Sequence, residues 1–193
     1  SIRVVTDFTP DPWPVEADSG QMEQVLLNLI VNARDAMNGS GRLEVSLRNV
    51  EVGPERAGRH PAARTGAFVE IAVADDGPGI APEVLPHIFE PFFTTKGVGK
   101  GTGLGLAMVH GIVMAHHGWI EVESAPNART AFRVLLPRAG QPAVAEPPVA
   151  GAGDRRGSEC VLVVDDEPLV RDLLMQILAN AGYRAVVAPD GQL

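Results

Sequence analysis

Gly97-Val98-Gly99-Lys100-Gly101-Thr102-Gly103-Leu104-Gly105-Leu106 is the stretch that most restricts what this chain can fold into. Glycines alternate from 99 to 105 and then give way to an apolar, helix-like run from Leu106 to Met114. Glycine admits positive φ and lets a ligand come close to its backbone N–H. A helix opening directly after such a loop turns its unpaired N–H groups and its dipole toward whatever lies there. The pattern predicts an anion site, with phosphate as the anion.

The spacing rejects the common phosphate loops. A P-loop needs Gly-x4-Gly-Lys followed by Ser or Thr, but here Gly101 follows Lys100 and Thr occupies position 94. A dinucleotide loop needs Gly-x-Gly-x-x-Gly. Starting at 97, 99, 101 or 103, the sixth position is Thr102, Leu104, Leu106 or Met108. The same mismatch excludes the glycine loop of Ser/Thr/Tyr protein kinases. A plain glycine linker is the alternative, and the helix that opens directly after the loop weighs against it.

With 193 residues, 45% of them apolar, the chain supports one good core and something smaller. A net charge of −8 and scattered basic residues argue against nucleic acid and anionic membrane as partners. Cys160 is the single cysteine, which excludes a disulfide framework and a Cys-based metal site. No apolar run approaches the ~18–20 residues of a membrane span. The first residues already read as a strand, so the chain is expected to be a soluble cytoplasmic part of something longer, which as a whole could be membrane-anchored.

Taken in order, Ile2 to Phe8 reads as a strand, and Pro10, Pro12 and Pro14 force an extended loop. Asp18 or Ser19 caps a helix from about Gln21 to Met37. Its apolar residues (Met22, Val25, Leu26, Leu29, Ile30, Ala33, Ala36, Met37) recur at helical spacing. Another stripe carries Asn28, Asn32 and Asp35. Asparagine is a poor helix-interior residue, because its amide competes for backbone hydrogen bonds. Solvated or core-bridging amides would explain a lone Asn; two stacked one turn apart point to a ligand. Amide oxygens are hard donors suited to Mg²⁺, which keeps waters and shares phosphate oxygens.

Leu43, Val45 and Leu47 alternate with Glu44, Ser46 and Arg48 as in a half-buried strand. Residues 51 to 66 read as a polar loop. The strand Phe68 to Ala74 ends at Asp75-Asp76-Gly77-Pro78-Gly79-Ile80, where a carboxylate beside glycines can accept a bond from a ligand amine. Pro82 to Phe93 reads as a short amphipathic piece. Phe89, Phe92 and Phe93 are either core filling or a latch for a mobile segment between Gly79 and Gly101. After the glycine loop a helix runs to about His116 and stops at Gly118. Trp119 to Ser124 and Ala131 to Leu136 form a closing pair of strands. His110, His116 and His117 do not match a metal-ligand spacing.

Pro, Gly and Ala dominate residues 138–158, which read as a linker. Order restarts at 159–193 with an apolar strand, Asp165-Asp166-Glu167, a helix and a second strand. That β-α-β unit predicts a parallel pair.

Four blocks together resemble the ATP-binding catalytic domain of sensor histidine kinases, in the superfamily of gyrase, Hsp90 and MutL. Asn28-Leu29-Ile30-Val31-Asn32-Ala33 is similar to its N box, and Asp75-Asp76-Gly77-Pro78-Gly79 to its first glycine box. Phe89-Glu90-Pro91-Phe92-Phe93 is similar to its F box, and Gly101-Thr102-Gly103-Leu104-Gly105-Leu106 to its second glycine box. The match covers residues 1–137. It implies a two-layer α/β sandwich, a mixed sheet covered on one face by helices. It further implies that Asn28 and Asn32 hold Mg²⁺ against ATP and that Asp75 accepts the adenine amine. Gly77 and Gly79 would line the base pocket. Lys96 and Lys100 would meet phosphate, and the backbone around Gly101, Thr102, Gly103, Leu104 and Gly105 would cradle it.

Hydrolysing members of the superfamily carry a glutamate one turn before the metal-binding Asn. Here that position is Asn28, whose amide cannot take a proton from water. The resemblance therefore implies transfer of the γ-phosphate to a protein histidine. No histidine of this chain sits in an acceptor context, so the acceptor would belong to a dimerisation domain outside the sequence, in a homodimeric whole. Residues 159–193 resemble the start of a doubly wound response-regulator receiver domain, with Asp165 and Asp166 as its incomplete Mg²⁺ site and the acceptor Asp beyond Leu193. The whole would be a hybrid kinase working by phosphorelay to a receiver domain or response regulator. A nucleotide-binding scaffold without transfer, or a gyrase-like ATP hydrolase, are the rival expectations.

Overall fold

A computed structural model of the chain describes residues 1–96, 102–140, 160–164, 171, 175, 178–179 and 182–188. It divides into two units, Ser1–Val144 and Ala145–Leu193.

The first unit is built on a five-stranded sheet of order β1-β2-β3-β5-β4. Its strands are β1 (Ile2–Phe8), β2 (Gly41–Val52), β3 (Gly66–Asp75), β4 (Trp119–Glu123) and β5 (Thr130–Pro137). β1 runs parallel to β2, and the other pairs are antiparallel, so the sheet is mixed as expected. Helices α1 (Ser19–Ala36) and α3 (Gly105–Ala115) lie on one face. The period-2 alternation of the strands sorts their side chains between two cores. Leu43, Val73, Ile120, Phe132, Val134 and Leu136 face the helices and meet Val25, Leu29, Val109 and Val113. Full burial of a side chain of this size contributes roughly 1.5–3 kcal/mol.

α1 starts where the sequence places it. Asp18 is the N-cap, and its Oδ1 accepts the N–H of Gln21 at 2.8 Å. At the end of α3 the outcome differs from the expectation. The left-handed position belongs to His117, at φ 56°, not to Gly118. Gly118 is needed for packing instead, because a Cβ there would lie 2.4 Å from the carbonyl oxygen of Leu135. Residues 82–93 are also less regular than expected, holding a single 3₁₀ turn at Leu85–His87. Order in this unit runs past residue 137: Arg138 bridges Val15 and stacks its guanidinium 4.9 Å from the Trp13 ring centre.

Residues 51–66 are not simply a polar loop. β2 continues to Val52, and a short helix, α2 (Pro54–Ala57), folds onto the back of the sheet. There Val52, Phe68, Trp119 and Leu135 form a second small core, edged by Ala57, Ala62 and Ala63. The Phe68 and Trp119 rings meet edge-on at 4.6 Å. Above them Arg56 Nη2 donates to Glu70 Oε2 at 2.5 Å and to Glu121 Oε2 at 2.8 Å, while Trp119 Nε1 donates to Glu121 Oε1 at 3.0 Å. Burial pushes the Glu121 carboxyl up, but the bonds from Arg56 and Trp119 outweigh it and hold it below its ordinary 4.5. Arg56→Met leaves two half-buried carboxylates facing each other and is expected to cost about 2 kcal/mol in urea unfolding at neutral pH. A depressed carboxyl stabilises above its unfolded value and loses that contribution as pH falls through its lowered folded value. The penalty of Arg56→Met should therefore shrink below pH ~4.5.

In the second unit, β6 (Cys160–Val164) pairs in parallel with β7 (Arg184–Ala188), in the register Val161↔Ala185 to Val164↔Ala188. Most of the helix expected between them, with Asp165 and Asp166, lies outside the described residues.

Candidate nucleotide site

The C-terminal end of β3, the polar stripe of α1 and the N-terminus of α3 meet at one cleft of about 350 Å³. That volume falls in the usual range for small-molecule sites, roughly 300–1,000 Å³. Each wall follows from local sequence. Because α1 buries Val25, Leu29 and Ala33, Asn28 and Asn32, each one position before a buried residue and so about 100° round the helix, form a neighbouring stripe with Asp35. Asn28, Asn32 and Asp35 thus line the cleft together.

On the opposite wall Asp75 closes β3 with its side chain buried, 4% exposed, in the cleft lining. Its Oδ1 accepts the N–H of Gly77 at 2.8 Å. Burial pushes this carboxyl up; the Gly77 bond pulls in the opposite direction and is the smaller effect. Gly77 does not line the cleft and acts on it through Asp75. Its hydrogen is required by crowding, since a Cβ would lie 2.5 Å from Asp75 Oδ1 and 3.2 Å from Ala36 Cβ. Gly79, at φ 76°, does line the cleft. The turn around it is tied to the β4–β5 connection: Ile80 N–H donates to Ser124 Oγ at 2.8 Å and Asn127 N–H to the Pro78 carbonyl at 2.7 Å.

The glycine-loop end of the cleft is held by a crossing that sequence reasoning missed. Phe92 N–H donates to the Gly103 carbonyl at 2.9 Å, with Phe92 at φ 67° and Gly103 also at φ 67°. This joins the segment entering the glycine loop to the segment leaving it. Phe92 is 75% exposed, so the F-box ring is not a latch buried over the loop. Phe93 lines the cleft, and Phe89 packs at 5.2 Å on His110. Thr102, Gly103 and Gly105 line the cleft, and Leu104 is exposed as the N-cap of α3. Lys96 also lines it, with Nζ 2.8 Å from Asp35 Oδ2. Lys100 and Gly101 lie outside the described residues.

The donor set fits a nucleotide better than a metal held by protein alone. Among the described residues no group of three or more His, Cys, Asp or Glu side chains could hold a metal ion. Asn28 and Asn32 offer amides, which suit a cation that brings its own phosphate oxygens and water. A Cβ on Gly105 would come within 3.6 Å of Asn28 Oδ1 and 3.7 Å of Asn32 Nδ2. The bare backbone of that helix start and the two amides therefore face one another across space a side chain would fill.

The fold and this cleft define a nucleotide-binding α/β sandwich. The chain belongs to the histidine kinase-, DNA gyrase B- and HSP90-like ATPase family, which residues 17–140 match. It is 41% identical to the sensor kinase CckA of Brucella abortus over 198 residues, covering 98% of this chain and 21% of that protein. It is 43% identical to the sensory histidine kinase/phosphatase NtrB of Rhodobacter capsulatus over 134 residues, covering 69% of this chain and 36% of the relative. Among solved structures, the mycobacterial sensor histidine kinase MprB superposes with a TM-score of 0.56 at 31% identity, covering 70% of this chain and 81% of that one. The chain thus spans about a fifth of CckA and about a third of NtrB.

Proposed function

We propose that residues 1–137 are the ATP-binding catalytic part of a hybrid sensor histidine kinase, and that residues 159–193 begin its receiver domain. The observation that carries the first part is the convergence of Asn28 and Asn32, Asp75, and Gly103 and Gly105 on one cleft. Asp75 would accept the adenine amine. Asn28 and Asn32 would hold Mg²⁺ beside the triphosphate, and the N–H groups at the start of α3 would meet phosphate oxygens. Bound there, Mg²⁺ neutralises phosphate charge. The side chains position the nucleotide, and Asn28 stands one turn before Asn32, where its amide cannot take a proton from water as a glutamate would. Transfer to a histidine of a dimerisation domain, followed by relay to an aspartate, is the reaction this favours.

Similarity to ShkA, a full-length protein solved with AMPPNP, supports the nucleotide; it covers 98% of this chain at 28% identity and a TM-score of 0.56. The parallel pairing of β6 with β7 supports the receiver reading. Exposed Leu104 and Met108 lie one turn apart on α3, and exposed Phe92 is bonded to Gly103. These apolar groups beside the cleft suit docking of the histidine-bearing domain. No helix among the described residues is long and apolar enough to cross a membrane. We place the domain in the cytoplasm of a homodimeric kinase.

Calorimetry with ATP tests the reading. Binding in the micromolar range that requires Mg²⁺, and weakens at least about tenfold in Asn32→Ala, is expected. Mixing with a matching dimerisation domain should then yield phosphohistidine. Binding without transfer would leave the scaffold reading; ATP hydrolysis by the wild type would revive the hydrolase.

A further inference from the structure

Asp35 continues the polar stripe of α1 beyond Asn32, and none of the roles above uses it. Both of its carboxylate oxygens are taken by cations. Oδ1 accepts Arg34 Nη2 at 2.8 Å and Nε at 3.1 Å, and Oδ2 accepts Lys96 Nζ at 2.8 Å. Arg34 is the adjacent residue, whereas Lys96 lies 61 positions away. The Lys96 bond therefore ties α1 to the segment that enters the glycine loop. A second bond aims the lysine: Lys96 N–H donates to Thr94 Oγ1 at 3.1 Å. Asp35 and Lys96 both line the cleft, and each side chain is about one-third exposed, at 33% and 36%. Lys96 and Lys100 are the only two lysines in the chain, and all fourteen other basic residues of the Lys/Arg class are arginines.

An ammonium is a compact point charge that suits phosphate. Here that charge already has an anionic partner inside the cleft. We infer that Asp35 is a latch on Lys96: a ligand phosphate must displace the Asp35 carboxylate to reach the ammonium, so Asp35 competes with the nucleotide for Lys96. This rests on the nucleotide reading above. Asp35 thereby lowers the affinity of any ligand whose phosphate engages Lys96, and lowers it most for a triphosphate, which engages the ammonium most fully. It is a positioning residue, acting through Lys96.

Two measurements test this. The first needs no nucleotide. A lysine held by a carboxylate is a poorer nucleophile than a free one, so acylation of Lys96 by an N-hydroxysuccinimide ester, read by mass spectrometry against Lys100 and the α-amino group, should rise clearly in Asp35→Asn. Unchanged labelling overturns the latch whatever the protein binds. The second is calorimetry with Mg²⁺ and ATP or ADP. Asp35→Asn should bind ATP about three- to fivefold more tightly, with a smaller gain for ADP. The gain should vanish when Lys96→Met is added. A gain that persists without Lys96 would reflect only the removal of a like charge and would overturn the latch. Weaker Mg²⁺-dependent binding in Asp35→Asn would make Asp35 a metal ligand and also overturn it. Enhanced labelling in a protein that binds no ATP at all would instead sink the nucleotide reading, and with it the ligand assigned to the latch.

Discussion

Asp75→Asn is expected to weaken ATP binding by about 10- to 150-fold and, in the same protein, to raise the melting temperature by about 2–4 °C at neutral pH. The two effects share one cause. The carboxylate is buried and 4% exposed. Burial raises its proton affinity above the ordinary value of 3.8, and the Gly77 N–H offsets only part of that rise. For a carboxyl raised on folding, the native state holds more protons than the unfolded state between the two values. Stability therefore falls as pH rises from about 3.8 through the raised native value, and the loss persists at neutral pH. Asparagine has the same shape and no charge, so the variant escapes this cost. It cannot keep the recognition. Gly77 N–H and a ligand amine are both donors, and a carboxylate answers them with two oxygens. An amide has one oxygen and one NH₂, so one donor always faces another donor. Calorimetry and thermal unfolding across pH 4–8 read both effects. A variant that binds ATP normally would remove adenine recognition from Asp75. A variant with an unchanged melting temperature would mean that the buried charge costs nothing.

The sequence made α1 legible because one helix carries both of its signals. The apolar stripe at Val25, Leu29 and Ala33 fixes which way the helix sits, and the polar stripe at Asn28, Asn32 and Asp35 follows from it. The sheet is legible by two other signals, since alternation marks β2 while β3 and β5 are near-continuous apolar runs. What periodicity cannot carry is pairing between distant segments. Nothing local says that Arg56 will find Glu70 and Glu121, or that the small residues Ala57, Ala62 and Ala63 will edge a core with Trp119. The Lys96–Asp35 pair and the Phe92–Gly103 crossing are invisible for the same reason. His117 was missed differently: glycine is the cheapest residue at positive φ, so Gly118 attracted the turn. Packing against the Leu135 carbonyl required Gly118 one step later, and histidine was left with the left-handed backbone.

Within the glycine box, Gly103→Ala and Gly105→Ala are expected to abolish nucleotide binding by different routes, and thermal unfolding should separate them. Gly103 sits at φ 67°, and a Cβ there would lie 2.3 Å from the backbone carbon of Phe92 and 2.6 Å from its carbonyl oxygen. Backbone atoms cannot rotate away as a side chain can. Alanine must therefore break the Phe92–Gly103 bond and lose the crossing, at a cost of about 2–4 kcal/mol. The lost structure is the rim of the cleft, so binding should fall below detection while the melting temperature also drops. Gly105 is the first residue of α3, its φ is not among the positive ones, and its nearest foreign atoms are the Asn28 and Asn32 amides at 3.6 and 3.7 Å. Alanine is accommodated there and improves the helix, which should leave stability equal or up to about 1 kcal/mol higher. The added methyl nonetheless occupies the gap between the amides and the helix N-terminus, where a phosphate would lie. A stable Gly105→Ala protein that fails to bind ATP is thus the cleanest sign that this gap is the phosphate site. Normal binding by that variant would move the phosphates elsewhere in the cleft, and the roles of Asn28 and Asn32 would move with them.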